Sequence, residues 1–291
     1  MPPPAPTFDL QSHSRHSDGE LGAGEVVAAA AAAGVELLSL TDHDTVDGVG
    51  EAMRAATELG IRVVSGAEIS ALDMSGRDLH ILGYLIDDQD PVLAERLASF
   101  RADRERRAQA MIGALRDLGF ELDESPLRER AAKGMSIGRP HLAQAVVDHP
   151  ANASRLSAEG ITASSAFLEA YLIEGRPAFR PREIPTVAEA IAAIHEARGL
   201  AVWAHPFFDF SEPADVLSAV DRFHGEGIDG VECFYVTHTA EQTALLARRC
   251  AELALLTTGS SDFHGPSHRS LSRFRAFSTY GFEANLGPIA G

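Results

Sequence analysis

Val35-Glu36-Leu37-Leu38-Ser39-Leu40-Thr41-Asp42-His43-Asp44 decides how this chain folds. An apolar run of strand character passes directly into imidazole and carboxylate side chains. Buried parallel strands read as near-continuous apolar runs, and sites are built where such strands end. Working outward, residues 24–33 read as an Ala-rich helix stopped by Gly34, and residues 46–59 as a helix stopped by Gly60. Residues 7–10, 61–65 and 79–86 read as further strands. This β-α-β-α rhythm predicts a parallel sheet with crossover helices.

The rhythm breaks near Asp90. Residues 91–118 are helical and charged, with Arg96, Arg101, Arg104, Arg106, Arg107 and Arg116, and further helices are predicted over 140–147 and 165–174. Strand signals are scarce until Arg182. Alternation then resumes, with helices predicted at 187–198, 213–224 and 239–253 and strands at 200–204, 230–234 and 254–258. About seven strand signals lie outside the helical stretch, which predicts an α/β fold, a (β/α) barrel whose site residues project from strand ends. The expected organisation is a barrel from 7–90 and 183–291, with a helical insertion domain at 91–182.

At 291 residues and 45% apolar content, the chain has the makings of one large core, or one core with a smaller module. Its formal charge of −17 argues against a broad grip on duplex nucleic acid or an anionic membrane. A local basic pocket for a small phosphate ester stays compatible with it. Lys133 is the only lysine, so that pocket would be made of Arg, which suits bidentate phosphate recognition. Cys233 and Cys250 are too few for a disulfide framework and too far apart for a Cys-x-x-Cys site; Cys233, in an apolar run, reads as a buried structural residue. No signal-peptide pattern or membrane-length apolar stretch is present, and a cytoplasmic location is expected.

Several candidates share the context of His43. Glu68 follows Val63-Val64-Ser65-Gly66-Ala67, His205 follows Leu200-Ala201-Val202-Trp203-Ala204, and Asp262 and His264 follow the run from Leu255 to Ser261. A lone His beside an apolar strand is usually packed or superficial; the repetition argues for a shared site. Side chains two apart on extended chain point the same way, so Asp262 and His264 can address one site, as can Gln11 and His13. Ser17-Asp18-Gly19 and Asp78-Leu79-His80 supply two more ligand types. Imidazole and carboxylate donors without thiolate suit Zn, Mn or Fe(II), and two or three such ions close together generate hydroxide near neutral pH and clamp a phosphoryl group.

The ordered set resembles the PHP (polymerase and histidinol phosphatase) family of metal-dependent phosphoesterases, over nearly the whole chain. The resemblance implies a distorted seven-stranded barrel and a site of two or three divalent ions, Mn, Zn or Fe. By the same resemblance the ligands are Gln11, His13, Asp18, His43, Glu68, His80, His205, Asp262 and His264. Glu68 would bridge ions, and Glu68, His205 and Asp262 would carry catalysis. Asp18 would join His43 and His264 around one ion, and His80 and His205 would serve another. The family's first motif is His-x-His, and here it reads Gln11-Ser12-His13. Gln11 could ligate weakly through its amide oxygen, His16 could compensate, or one ion could be absent. A working site with altered metal preference is the expectation.

The helical stretch resembles the PHP subgroup acting on nucleoside 3′,5′-bisphosphates, AMP-like nucleotides or short oligoribonucleotides. The matching residues include Arg104, Arg107, Arg139, His141 and Arg176; for Arg106 and Arg107 a solvated helix face is an even alternative. Arg139 beside Pro140 stands at a helix start, where anions are favoured. His141 is expected to contact substrate or cap the helix. His238 would touch phosphate, protonate a leaving group or cap a helix. Asp42 and Asp44 are expected to orient His43, and Phe207 and Phe208 to stack on a base or join the core. His149, His195, His224 and His268 read as surface residues. The expected reaction is hydrolysis of a nucleotide phosphate monoester by a metal-bound hydroxide. The competing readings are a 5′–3′ exonuclease on short RNA and a metal-impaired module that only binds nucleotide.

Overall fold

The computed structural model describes residues 6–74, 77–132, 137–181 and 185–291; the side chains of Arg104 and Ala132 lie outside that description. Contacts divide the chain into two compact units, Met1–Ala98 with Pro185–Gly291, and Ser99–Ile184. The first unit holds a seven-stranded sheet in sequential order. Its strands are β1 (Phe8–Asp9), β2 (Leu37–Leu40), β3 (Arg62–Leu72), β4 (Asp78–Tyr84), β5 (Leu200–Trp203), β6 (Gly230–Tyr235) and β7 (Leu256–Ser260). Helices α1 (Ala23–Ala32) and α2 (Val49–Leu59) connect the first three strands. Helix α3 (Pro91–Asp117) leads into α4 (Ser125–Ala132), α5 (Arg139–Val147), α6 (Ala153–Ala158) and α7 (Ser164–Tyr171). The return half carries α8 (Val187–Glu196), α9 (Pro206–Asp209), α10 (Pro213–Glu226) and α11 (Ala240–Leu253).

Local chemistry sets these boundaries. α2 stops at Gly60, whose φ of 71° is left-handed and open to glycine at little strain. α3 begins where the Asp90 carboxylate accepts the Val92 and Leu93 amides at 2.7 and 3.1 Å. α8 and α11 open with reciprocal capping boxes, Thr186 with Glu189 and Thr239 with Gln242.

The sheet is not the uniformly parallel one expected. β1, β2 and β3 are parallel, as are β5, β6 and β7, but β4 runs antiparallel to both neighbours. The cause is the length of β3, which continues past residue 65 to Leu72 and pairs in register from Gly66↔Tyr84 to Leu72↔Asp78. So short a connection closes only an antiparallel pair, since a parallel crossover needs about a dozen residues or more. The reversal positions the site: the beginning of β4, with His80, lies at the same barrel end as the carboxyl ends of the parallel strands.

The barrel nearly closes through β1 and β7. The Leu10 amide donates to the Gly259 carbonyl at 3.1 Å, and the His13 amide to the Phe263 carbonyl at 2.8 Å. Leu10, Leu82, Tyr84, Val202 and Ala204 are enclosed in the interior, and the Tyr84 hydroxyl donates to the Leu10 carbonyl at 2.9 Å. Enclosing each of the Leu and Val side chains contributes about 1.5–3 kcal/mol. The second unit has its own core, including Met111, Leu115, Phe120, Leu142, Val146 and Phe167. The expected boundary at 182–183 falls outside the described residues, and the 91–182 insertion remains our proposal for the domain limits.

Candidate metal centre

Glu68 projects from the middle of β3 and is buried at the meeting point of the candidates. Its two carboxylate oxygens face different partners. Oε1 lies 2.6 Å from His80 Nδ1 and 3.3 Å from His205 Nε2, and those two nitrogens are 3.4 Å apart. Oε2 lies 3.1 Å from His13 Nε2, which is also 3.1 Å from Asp262 Oδ1. A third group surrounds Asp18, with His43 Nε2 at 3.6 Å, His264 Nε2 at 3.5 Å and His13 Nδ1 at 3.5 Å. Donors sharing one tetrahedral ion at zinc-type bond lengths stand roughly 3.3–3.6 Å apart.

Two buried imidazole nitrogens, His43 Nδ1 and His205 Nδ1, have no hydrogen-bond partner, while His13 Nε2 is left to two carboxylate oxygens at once. Buried polar atoms are normally satisfied, so unpartnered imidazole nitrogens beside converging carboxylates fit a bound cation. Three sets, His13-Asp18-His43-His264, His43-Glu68-His80 and His13-Glu68-Asp262, each have ligand atoms within 4.8 Å of one another. This donor set fits divalent metal.

Electrostatics in the metal-free chain agree. Burial opposes the Glu68 charge, but His43 and His80 outweigh it and hold the carboxyl well below its usual range. Burial likewise opposes ionisation of Asp262, yet His264 and His13 bring its pKa down to about 2. His13 would be depressed by burial, but hydrogen bonds to Asp262 and Glu68 raise it well above normal. His205 is raised to about 10 against burial by its bond to Glu68, whereas burial wins at His43 and lowers it to about 3.

The ligand positions are held from outside. Asp42 accepts the Ser14 amide at 2.7 Å and the Ser14 and Ser17 hydroxyls at 2.6 Å each, fixing the loop that carries Asp18. Asp44 accepts the Ser70 amide at 2.9 Å, tying the turn after His43 to β3. Gly19 has no room for a side chain, because a Cβ there would meet the His13 carbonyl oxygen at 2.2 Å. His264 Nδ1 donates to the Asp262 carbonyl at 2.8 Å, which leaves Nε2 facing Asp18. Asp44, His205 and Asp262 have φ of 52°, 32° and 52°, conformations that non-glycine residues hold mainly where surroundings enforce them.

Glu232 and Asp9 received no role from sequence alone. Glu232, buried on β6, accepts the His205 amide at 2.9 Å and the Ser260 hydroxyl at 2.5 Å, and burial pushes its pKa up to about 8. Asp9 accepts the Ser261 and Arg275 amides at 2.9 and 2.8 Å, and burial raises it to about 7. A carboxylate inside an apolar strand, as in Phe8-Asp9-Leu10 and Val231-Glu232-Cys233, was the available signal. Tyr235 donates its hydroxyl to Asp262 Oδ2 at 2.9 Å.

Other candidates stand elsewhere. His16 is exposed and its amide donates to Ser14 Oγ, so it does not stand in for Gln11. Gln11 is buried, with Nε2 2.8 Å from Glu68 Oε2 and Oε1 3.3 Å from Ser260 Oγ. His238 is not a cap, since Thr239 caps α11; its Nδ1 donates to the Cys233 carbonyl at 3.1 Å, and burial lowers its pKa to about 4. A neutral imidazole of that tautomer accepts at Nε2 and is a poor acid for a leaving group. His268, expected at the surface, is half-buried 5.3 Å from the His264 ring. Phe208 is 74% exposed and meets the His205 ring edge-on at 5.4 Å between centroids. The second unit carries the Arg set. Arg107 Nε donates to the Arg180 carbonyl at 2.7 Å, Arg139 begins α5, His141 Nδ1 caps α5 by accepting the Gly138 amide at 3.0 Å, and Arg176 is exposed. The Arg104 side chain lies outside the described residues.

The chain resembles known proteins along most of its length. The PHP domain family matches residues 9–122. A 5'-3' exoribonuclease of Haemophilus influenzae is 36% identical, over 89% of this chain and 90% of that protein. A 3',5'-nucleoside bisphosphate phosphatase of Chromobacterium violaceum is 32% identical, over 89% of this chain and 87% of that protein. A Bifidobacterium adolescentis structure described as a metal-dependent phosphoesterase superposes with a TM-score of 0.75 at 27% identity, covering 99% of this chain and 95% of that one. With the fold, the site geometry and these likenesses in agreement, the chain belongs to the PHP family of metal-dependent phosphoesterases and is a hydrolase.

Proposed function

We propose that this enzyme hydrolyses a nucleotide phosphate monoester, a 3′,5′-bisphosphonucleoside or an AMP-like nucleotide. Two or three ions of Mn, Zn or Fe would be held by His13, Asp18, His43, Glu68, His80, His205, Asp262 and His264. The observation that carries the reading is the division of Glu68, with one oxygen toward His80 and His205 and the other toward His13. Bound ions supply Lewis acidity and a positive charge that offsets the phosphate. The chain's residues do the rest. Glu68, Asp262 and His205 fix the ligand frame, and Glu232 holds the His205 backbone in its left-handed turn. Arg104, Arg107, Arg139, His141 and Arg176, all of the second unit, are the substrate-binding candidates that the resemblance implies, and Arg forks suit a phosphate. Any substrate contact by His238 is as an acceptor, which suits a hydroxyl better than a phosphate oxygen.

A second reading is supported by the Haemophilus relative: 5′–3′ removal of nucleotides from short RNA, the same chemistry on a diester. The −17 charge favours short substrates in that case. No described helix is long and apolar enough to cross a membrane. Cys233 and Cys250, free and buried with sulfurs 3.7 Å apart, suit a reducing cytoplasm. Phosphate release from 3′,5′-bisphosphonucleosides, AMP and histidinol phosphate, run beside a labelled oligoribonucleotide ladder, separates the readings. Failure on every substrate with Mn, Zn and Fe would remove both, leaving a module that only binds nucleotide.

Phe208, exposed beside His205, is assigned to the base. Base–aromatic stacking is worth about 1–3 kcal/mol, so Phe208→Ala should raise KM for a bisphosphonucleoside roughly 5- to 150-fold. Hydrolysis of ribose 5-phosphate, which has no base, should change little. Equal losses on both compounds would remove Phe208 from base recognition.

Ion uptake should tighten with pH. His13 and His264 are raised above the ordinary imidazole value and His205 reaches about 10, so protons compete with metal at neutral pH. Competition against a chelator should show weaker binding at pH 6.5 than at 8.5, with calorimetry in two buffers reporting proton release. Affinity independent of pH would show that these imidazoles are not displaced onto metal.

A further inference from the structure

Among the described residues, Gln11 is the one amide whose side chain meets Glu68, and its two ends are chemically different. Its Nε2 stands 2.8 Å from Glu68 Oε2, and its Oε1 stands 3.3 Å from Ser260 Oγ. In the ion-free chain, reversing the amide would set its oxygen 2.8 Å from a carboxylate oxygen, two acceptors closer than the roughly 3.3–3.6 Å between donors that share one zinc-type ion. The Ser260 hydroxyl shares its one proton between Glu232 Oε1 at 2.5 Å and Gln11 Oε1 at 3.3 Å, so its hold on the amide is the weaker one. The Glu68 side therefore decides, and it turns the nitrogen, which cannot ligate metal, toward the centre. His13 Nε2, Glu68 Oε2 and Asp262 Oδ1 meanwhile form a closed donor set without help from Gln11.

We propose that Gln11 is a positioning residue that anchors the Glu68 carboxylate through its amide N–H, and that it is not a metal ligand. The inference rests on the metal reading of this site. It replaces the sequence-based expectation of weak ligation through the amide oxygen. His13, Glu68 and Asp262 would hold an ion beside His13, while the Gln11 hydrogen bond fixes the plane in which Glu68 presents its two oxygens. Partners that orient a ligand from behind typically change activity or affinity by about 10- to 100-fold when removed.

The test is cadmium-113 NMR of the chain loaded with 113Cd, for wild type, Gln11→Leu and Gln11→His, with kinetics of the Mn-loaded forms. Gln11→Leu keeps the volume and removes both amide functions. It should leave the number and shifts of the bound-cadmium resonances essentially as in the wild type, and lower kcat roughly 10- to 100-fold at saturating Mn with KM unchanged. Gln11→His adds a nitrogen donor and should move one resonance downfield. Loss or displacement of a resonance in Gln11→Leu would overturn the proposal, as would unchanged kcat in that variant. If Gln11→Leu does not fold, Gln11→His decides alone: a spectrum identical to wild type would mean that the position already had its fourth protein donor. A wild-type spectrum with no bound cadmium would instead overturn the metal reading beneath it.

Discussion

Glu68→Gln should lower kcat/KM by about a thousandfold or more in ion-saturated enzyme while the chain stays folded, because several kcal/mol of transition-state stabilisation depend on correctly held ions. The substitution keeps shape and volume but removes the one charge that His13, His80 and His205 share. A neutral amide cannot bridge two cations with both of its ends, since one end is a donor. Steady-state kinetics at saturating Mn, with circular dichroism as the folding control, would check it. A fall smaller than about threefold would mean the histidine cluster is not where the ester is cleaved.

Chelation should lower the thermal midpoint substantially. In the stripped chain, carboxylates and imidazoles are enclosed together, with unpartnered nitrogens at His43 and His205. Each ion present at a hundred times its dissociation constant stabilises the native state by about 2.7 kcal/mol. Two such ions in a chain of this size correspond to a shift of roughly 9 °C. Differential scanning calorimetry with and without chelator would measure it, and restoring Mn should restore the midpoint. A midpoint indifferent to chelator would mean that the cluster is held by its own hydrogen bonds.

Much of this arrangement was legible in the sequence because each local signal had a physical cause acting over a few residues. Apolar runs such as 37–40 and 200–203 could be buried strands and little else, and the residues just beyond them must lie at a strand end. Strand direction carries no such local mark. Reading β3 as ending at residue 65 left a gap long enough for a parallel crossover, and only its continuation to Leu72 forces the hairpin with β4. The error left His80 in place as a candidate but hid why it meets Glu68. Tertiary burial decided the roles of Glu232 and Asp9, whose partners are 27 and 252 residues away, and burial also fixed that of His238. Likewise, the orientation of the Gln11 amide depends on Glu68 and Ser260, 57 and 249 residues away.

The most direct test is to titrate Mn into chelator-stripped wild type and Asp262→Ala, following bound ions per chain and phosphate released from adenosine 3′,5′-bisphosphate in the same samples. Wild-type hydrolysis should be absent without ions and rise in step with their binding, while Asp262→Ala binds fewer ions and stays near background. Full hydrolysis by the stripped chain, or equal rates for the two proteins at every Mn concentration, would contradict the assignment of the Glu68 centre as the site of cleavage.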